Sequence, residues 1–345
     1  MSAIFIVAEI GCNHNGSREL ARRMVDEAKK CGVDAVKFQT FKAEELISRF
    51  APKAEYQKRT TGSGGSQLEM TRKLELAPAD YLELRDYALS LGLDVFSTAF
   101  DMPSMEFLAR TGQKVWKIPS GEITNLPYLQ KIARLPMEGK KIILSTGMAT
   151  MDEIGEAVNI LLENVEPEAL TILHCNTEYP TMDEDVNLSA IGDLQKHFPG
   201  ISVGFSDHSV GSVAAIGAAS MNISMIEKHF TLDKNLEGPD HKASATPEEL
   251  TALCRDVRRM ERMLGGGGKR VTDSERRNRI VARKSIVARK NIVRGEFFSE
   301  ENVTCKRPGS GISPMHWYEV LGRKAERDFC VDELIEDSGF EMQGE

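Results

Sequence analysis

The chain has 345 residues and a hydrophobic fraction of 41%, enough for one large domain and a small one around a real core, which excludes a disordered protein. Its 44 Lys and Arg against 52 Asp and Glu leave a net charge of −8, which argues against nucleic-acid or anionic-membrane partners, so an anionic ligand must be held by locally placed cations. The opening MSAIFIVAEIG lacks a basic leader and no run has the length of a bilayer span, predicting a cytoplasmic protein; six cysteines without a CxxC suggest neither a disulfide framework nor a structural zinc site.

From the N-terminus, strand-like runs alternate with helical ones: IFIVAEIG (4–11), AVKFQTF (35–41), DVFSTAF (94–100), VWKIPSG (115–121), KIILSTGM (141–148), LTILHCNTEYP (170–180), ISVGFSDHS (201–209) and SMIEKHFTL (224–232). The first helix places Leu20, Met24, Ala28 and Cys31 on one face and Arg22, Arg23, Lys29 and Lys30 outward. The last opens with a capping box of Thr246, Pro247 and Glu249 and turns Leu250, Leu253, Val257 and Leu264 inward. Eight such units predict an α/β fold of the (β/α)8 TIM-barrel type rather than an open doubly wound sheet. Residues 42–77 interrupt the rhythm after the second strand. They contain TTGSGGS (60–66) and read as a lid or a loop over the barrel mouth. The glycines at 265–268 mark a boundary: 1–268 is expected to be the barrel, 269–282 a linker, and 283–345, with short β runs and Gly/Pro turns, a small separate domain.

His208 and His229 each end a strand-like run, and adjacent parallel strands, about 4.8 Å apart, can bring two imidazoles onto one ion. Two ordinary strand-capping histidines are the alternative. Ser206 faces the same way as His208, and the loop 238–244 carrying Asp240 and His241 follows His229, which favours the metal. In a barrel, functional groups project from the C-terminal strand ends, where Glu9, Lys37, Gln39, Thr98, Lys117, Ser120, Glu122, Ser145, Thr177, Tyr179 and Ser206 also fall. Two strand-end lysines accompanied by Thr98, Ser120, Ser145 and Ser206 point to a bound phosphate or carboxylate more than to structural ion pairs. Glu9 and Glu122 read either as a general acid/base pair or as carboxylates balancing the lysines. No dinucleotide fingerprint or P-loop is present, so no nucleotide cofactor is indicated. Cys12 and Cys175 read as pocket lining or core before reactive thiols.

With these residues in view, the chain resembles the sialic acid (nonulosonate) synthases over nearly its whole length. AEIGCNHNG (8–16), VKFQTF (36–41), STAF (97–100), KIPSGEITNLP (117–127), ILSTGM (143–148), EYPT (178–181), GFSDHS (204–209), EKHFT (227–231), GPDHKAS (238–244) and KRPGSGIS (306–313) occur in the family's order. The resemblance implies a barrel followed by an antifreeze-like (SAF) domain, in a domain-swapped homodimer, and condensation of phosphoenolpyruvate with an N-acetylated mannosamine-type sugar. It implies that His208 and His229 hold Mn2+ or Mg2+, and that Lys37, Thr98, Lys117, Ser120, Ser145 and Ser206 bind phosphoenolpyruvate. Glu9, Gln39, Glu122, Tyr179 and Asp240 would face the sugar and relay protons, and Arg307 of a partner subunit would reach its N-acetyl group. Many neuraminate synthases carry Asn two residues before the Tyr of the YP motif, where this chain has Thr177 after Asn176. KAEYQKR (53–59), GEITNLP (121–127) and GISPMHW (311–317) look more like synthases of legionaminic acid than of N-acetylneuraminic acid. Two further readings are a metal-dependent barrel hydrolase or aldolase, which leaves the KRPG loop and the lysines unexplained, and a non-catalytic sugar-binding protein.

Overall fold

The computed structural model describes residues 3–61 and 64–340, apart from the side chains of Tyr56 and Arg59. The chain divides into two compact units, Met1–Gly265 and Gly266–Glu345.

In the first unit the eight expected runs form strands β1 (Phe5–Gly11), β2 (Ala35–Thr40), β3 (Asp94–Ala99), β4 (Val115–Ile118), β5 (Lys141–Ser145), β6 (Leu170–His174), β7 (Ser202–Asp207) and β8 (Met225–His229). They pair in parallel in the order β3-β2-β1-β8-β7-β6-β5-β4, and β3 lies beside β4 at a seam without a bonded ladder, closing a nearly complete barrel. Alternation divides the apolar residues into two layers. Val7, Ala35, Phe96, Ile143, Leu173 and Met225 point inward and fill the barrel beneath its mouth, so it is a packed core rather than a pore. The opposite faces of the strands pack against the surrounding helices through Ile6, Ile10, Val36, Phe38, Trp116, Ile172 and Ile226.

The helices follow from their end signals. Arg18–Cys31 starts at Ser17, whose side chain accepts from the Leu20 amide, and stops at Gly32 in the left-handed conformation. Pro247–Leu264 carries the capping box at Thr246 and Glu249 and buries Leu250, Leu253, Cys254 and Val257, whereas Leu264, at its frayed end, is only half-buried. The excursion after β2 is not structureless: it holds helices Ala43–Leu46, Glu55–Thr61 and Gln67–Arg72 before the barrel rhythm resumes at Pro78–Ser90. Of its glycine-serine run, Gly62 and Ser63 lie outside the described residues. No helix among the described residues is long and apolar enough to cross a membrane.

In the second unit, the segment expected as a linker carries a helix, Asp273–Ala282, with no buried residue. Strands β9 (Ser285–Ala288) and β10 (Val303–Lys306) pair antiparallel over a small core of Ile286, Phe298, Ile312, Val320, Phe329 and Ile335.

Candidate active site

Strand register decides which polar side chains meet. Glu9 of β1 stands level with Lys37 of β2 on one side and His229 of β8 on the other, and Ser206 of β7 stands level with Glu227 of β8. With Lys117 from β4 these groups line a cavity of about 290 Å3 at the C-terminal ends of the strands. At its floor is a buried ionic cluster. Lys37 Nζ lies 2.7 Å from Glu9 and 3.4 Å from Glu227, and Lys117 Nζ donates to both oxygens of Glu227 at 2.7 and 2.8 Å. Gln39 donates to the second oxygen of Glu9 at 3.0 Å, Ser206 Oγ donates to Glu227 at 3.0 Å, and Lys37 reaches Thr98 Oγ1 at 3.4 Å.

Taking charges out of water is costly unless they are paired, and the titration of the cluster reflects that competition. Burial pushes the Glu9 carboxyl up to about 7, with Lys37 pulling against it and Glu227 adding to it. Glu227 feels the same burial but is held well below the ordinary carboxylate range by Lys117 and Lys37. Burial lowers Lys117, whereas for Lys37 the Glu227 and Glu9 carboxylates outweigh burial and raise it. When Glu9 takes up a proton, two ammoniums face one carboxylate, and the floor has positive charge to offer an anion.

The two histidines lie beside this cluster, ring centroids 5.4 Å apart. Burial keeps both neutral near physiological pH: His208 is pushed down to about 4 against the pull of the Asn176 carbonyl, and His229 well below its ordinary value. His208 Nδ1–H donates to the Asn176 carbonyl at 2.5 Å, which fixes the tautomer and leaves the Nε2 lone pair on the cavity side, 3.3 Å from Ser206 Oγ. His229 Nδ1 is buried without any hydrogen-bond partner. A neutral imidazole with a free lone pair and a second with an orphaned ring nitrogen are suitable donors for a divalent ion. Among the described residues no group of three or more His, Cys, Asp or Glu is arranged to hold one. Tyr179 covers the pair, its ring 4.2 Å from His208 and 5.4 Å, edge-on, from His229.

The other expected residues divide clearly. Ser120, Ser145, Thr177 and Asp240 line the cavity with the residues above. Ser120 Oγ accepts the Gly147 amide at 3.0 Å, and Asp240, raised by burial to about 6, accepts from the Cys12 thiol at 3.5 Å. Cys12 is thus pocket lining, its thiol raised well above the ordinary value by burial and by Asp240. Thr98 meets the site through Lys37. Glu122, expected to face the sugar, is not among the lining residues: it ends the short turn Ser120–Glu122 and binds the Asn125 amide at 2.5 Å. Arg307 belongs to the second unit, where its Nε donates to the Ala282 carbonyl. Glu227 escaped the sequence reading although EKHFT places it two residues before His229 and therefore on the same face. Gly11 (φ +55°) explains how the chain leaves β1 beside Glu9, since a Cβ there would come within 2.8 Å of the Glu9 carboxylate.

The NeuB family model matches residues 24–269, and the SAF domain model matches 283–341. The chain belongs to the NeuB family. An N,N'-diacetyllegionaminic acid synthase of Campylobacter jejuni is 48% identical over 98% of this chain and 100% of its own length, and one of Legionella pneumophila 43% identical over 93% and 90%. The human N-acetylneuraminate-9-phosphate synthase is more distant, 34% identical over 97% and 93%. Among solved structures, an N-acetylneuraminic acid synthetase of Leptospira borgpetersenii in complex with citrate matches with a TM-score of 0.71 and 33% identity over 80% of this chain and 90% of that one. The NeuB match spans the strands from β2 to β8 that supply both lysines, Glu227 and both histidines.

Proposed function

We propose that this NeuB-family chain condenses phosphoenolpyruvate with 2,4-diacetamido-2,4,6-trideoxymannose, giving N,N'-diacetyllegionaminic acid and phosphate. The observation that carries this reading is the placement of Lys37 and Lys117 beside His208 and His229 on one cavity floor, in a chain 48% identical to a synthase of that product. Phosphoenolpyruvate brings a phosphate and a carboxylate. Buried ammoniums flanked by the hydroxyls of Thr98, Ser120, Ser145 and Ser206 suit such an anion because low local polarity strengthens each charge-assisted hydrogen bond. The sugar would meet Gln39, Thr177, Tyr179 and Asp240 on the cavity wall.

In the reaction, C3 of phosphoenolpyruvate attacks the open-chain aldehyde carbon, water adds to the resulting cationic C2, and phosphate leaves with C–O cleavage. A divalent ion, Mn2+ or Mg2+, held by His208 and His229 would polarise the aldehyde oxygen as a Lewis acid. Glu9, raised to about 7, is poised to exchange a proton near neutral pH, and its carboxylate form, with Glu227, opposes the positive charge developing at C2. The two lysines oppose the negative charge of departing phosphate. Arg307 is assigned to the N-acetyl group of a sugar bound by a partner subunit, in a domain-swapped homodimer, and the compartment to the cytoplasm, where phosphoenolpyruvate is made.

The test is phosphate release from phosphoenolpyruvate with Mn2+, with and without EDTA, offering the diacetamido sugar and N-acetylmannosamine in parallel. EDTA-sensitive release that prefers the diacetamido sugar is expected. Preference for N-acetylmannosamine would reassign the product to N-acetylneuraminic acid, and no release with either sugar would return the chain to the hydrolase or binding-protein readings.

A further inference from the structure

The cavity has two chemically different sides. Its floor is charged, but one wall is apolar and comes largely from outside the barrel. Phe41, at the end of β2, stacks edge-on against Phe100, after β3, at 6.2 Å, and these rings pack with Cys12, Leu46 and Leu74 in a cluster separate from both barrel layers. Leu46 and Ile47 at the end of helix Ala43–Leu46, with Met70 in helix Gln67–Arg72, complete the lining on that side. Phe41 and Leu74 are buried, as packing alone would require. Leu46, Ile47 and Met70 are only half-buried, and all three line the cavity, so each presents apolar surface to it.

Their segment is held in place from several directions. The Ala43 amide donates to Glu75 at 2.7 Å, Arg72 pairs with Glu44, Lys53 donates to the Gly64 carbonyl at 2.7 Å, and Leu76, near the segment's end, joins the main core. Half-buried apolar side chains held against a polar cavity leave surface that is stabilised only when an apolar part of a ligand covers it.

We infer that Leu46, Ile47 and Met70 determine which amino sugar is used, by receiving the C6 methyl and the 4-acetamido methyl of a 2,4-diacetamido-2,4,6-trideoxy sugar. This rests on the synthase reading above and assigns it a specificity surface. N-acetylmannosamine carries hydroxyls at both positions, and against this wall they would give up water without finding a partner. An apolar pocket separates substrates that differ by one added hydroxyl by about 100-fold. Gln57 and Gln67, from the same segment, also line the cavity and place amide groups where an acetamido carbonyl or N–H can be met.

The experiment compares kcat/KM for the two sugars in the full-length protein, its Leu46→Asn and Met70→Gln variants and the double variant, with unfolding midpoints measured alongside. The ratio favouring the diacetamido sugar should fall at least about tenfold in the double variant. Met70→Leu, which stays apolar, should keep the ratio within about twofold. Met70→Gln is close to isosteric at a half-buried site, so it decides the question by itself if the double variant fails to fold. An unchanged ratio in folded Met70→Gln and double variants would overturn the inference while leaving the synthase reading in place. Wild-type protein that turns over neither sugar would overturn both.

Discussion

Glu227 gives both of its carboxylate oxygens to the single ammonium of Lys117, at 2.7 and 2.8 Å, at the bottom of a cavity that must also accept an anionic substrate. The pair keeps two charges stable in a buried place, and one oxygen of Glu227 additionally accepts from Ser206 while the other faces Lys37 at 3.4 Å. On the proposed reading, phosphoenolpyruvate would share ammoniums that are already paired rather than capture free ones. Replacing Glu227 by Ala would leave Lys117 and Lys37 buried with Glu9 as their remaining carboxylate. Removing one partner of a buried ion pair costs about 3–5 kcal/mol. Chemical denaturation of Glu227→Ala should show a loss of that size, and part of it should be restored by millimolar phosphoenolpyruvate, whose charge replaces the missing carboxylate. A variant as stable as wild type would show that the cluster is not an energetic unit.

His229→Ala should abolish most turnover and leave folding largely intact. The Nδ1 of His229 has no hydrogen-bond partner, so truncation breaks no protein contact at that atom. Mn2+ titration followed by electron paramagnetic resonance should show weaker binding, and thermal unfolding without metal should shift little. Unchanged activity would remove the metal assignment.

Gly147 donates its amide to Ser120, and a Cβ at this position would come within 2.6 Å of Thr177 Cγ2 and 2.8 Å of Ser120 Oγ. Neither neighbour can keep its place if Gly147 becomes Ala. Displacing a binding group by around 1 Å typically costs on the order of 100-fold. Gly147→Ala should lower kcat/KM for phosphoenolpyruvate by that order, whereas Gly155→Ala, in a helix where a Cβ meets nothing, should not.

Burial holds His14 at about 4 in the folded chain, only partly opposed by the Gly11 backbone, against an ordinary value of 6.5. The folded state thus disfavours the proton that the unfolded chain accepts. The stability associated with neutral His14 is complete above pH 6.5 and is lost progressively as pH falls towards 4. Asn at this position can accept the Gly16 amide now bound by Nδ1, yet does not titrate. Relative to wild type, His14→Asn should gain about 2 kcal/mol between pH 7 and pH 5. Urea midpoints of the two proteins that move in parallel over that range would contradict the sign.

The residues by themselves determine the eight-fold repetition, because strand alternation, the helical period and end signals such as Ser17, Gly32 and the Thr246–Glu249 box act within a few residues of one another. They also place His208 and His229 at the polar limits of apolar runs and Lys37 and Lys117 as lone cations inside them. Register between strands depends on contacts far apart in sequence, and only the tertiary structure sets Glu9 level with both Lys37 and His229 and brings Glu227 between the two lysines. The same holds for Glu122. Its motif suggests a site residue, and the turn Ser120–Glu122 sets its carboxylate against the Asn125 side-chain amide. Segment 42–77 reads as a lid or a loop over the barrel mouth, its helices being too short for a periodic signal; that Leu46 and Leu74 pack against Phe41 and Phe100 and line the cavity is decided by the tertiary structure.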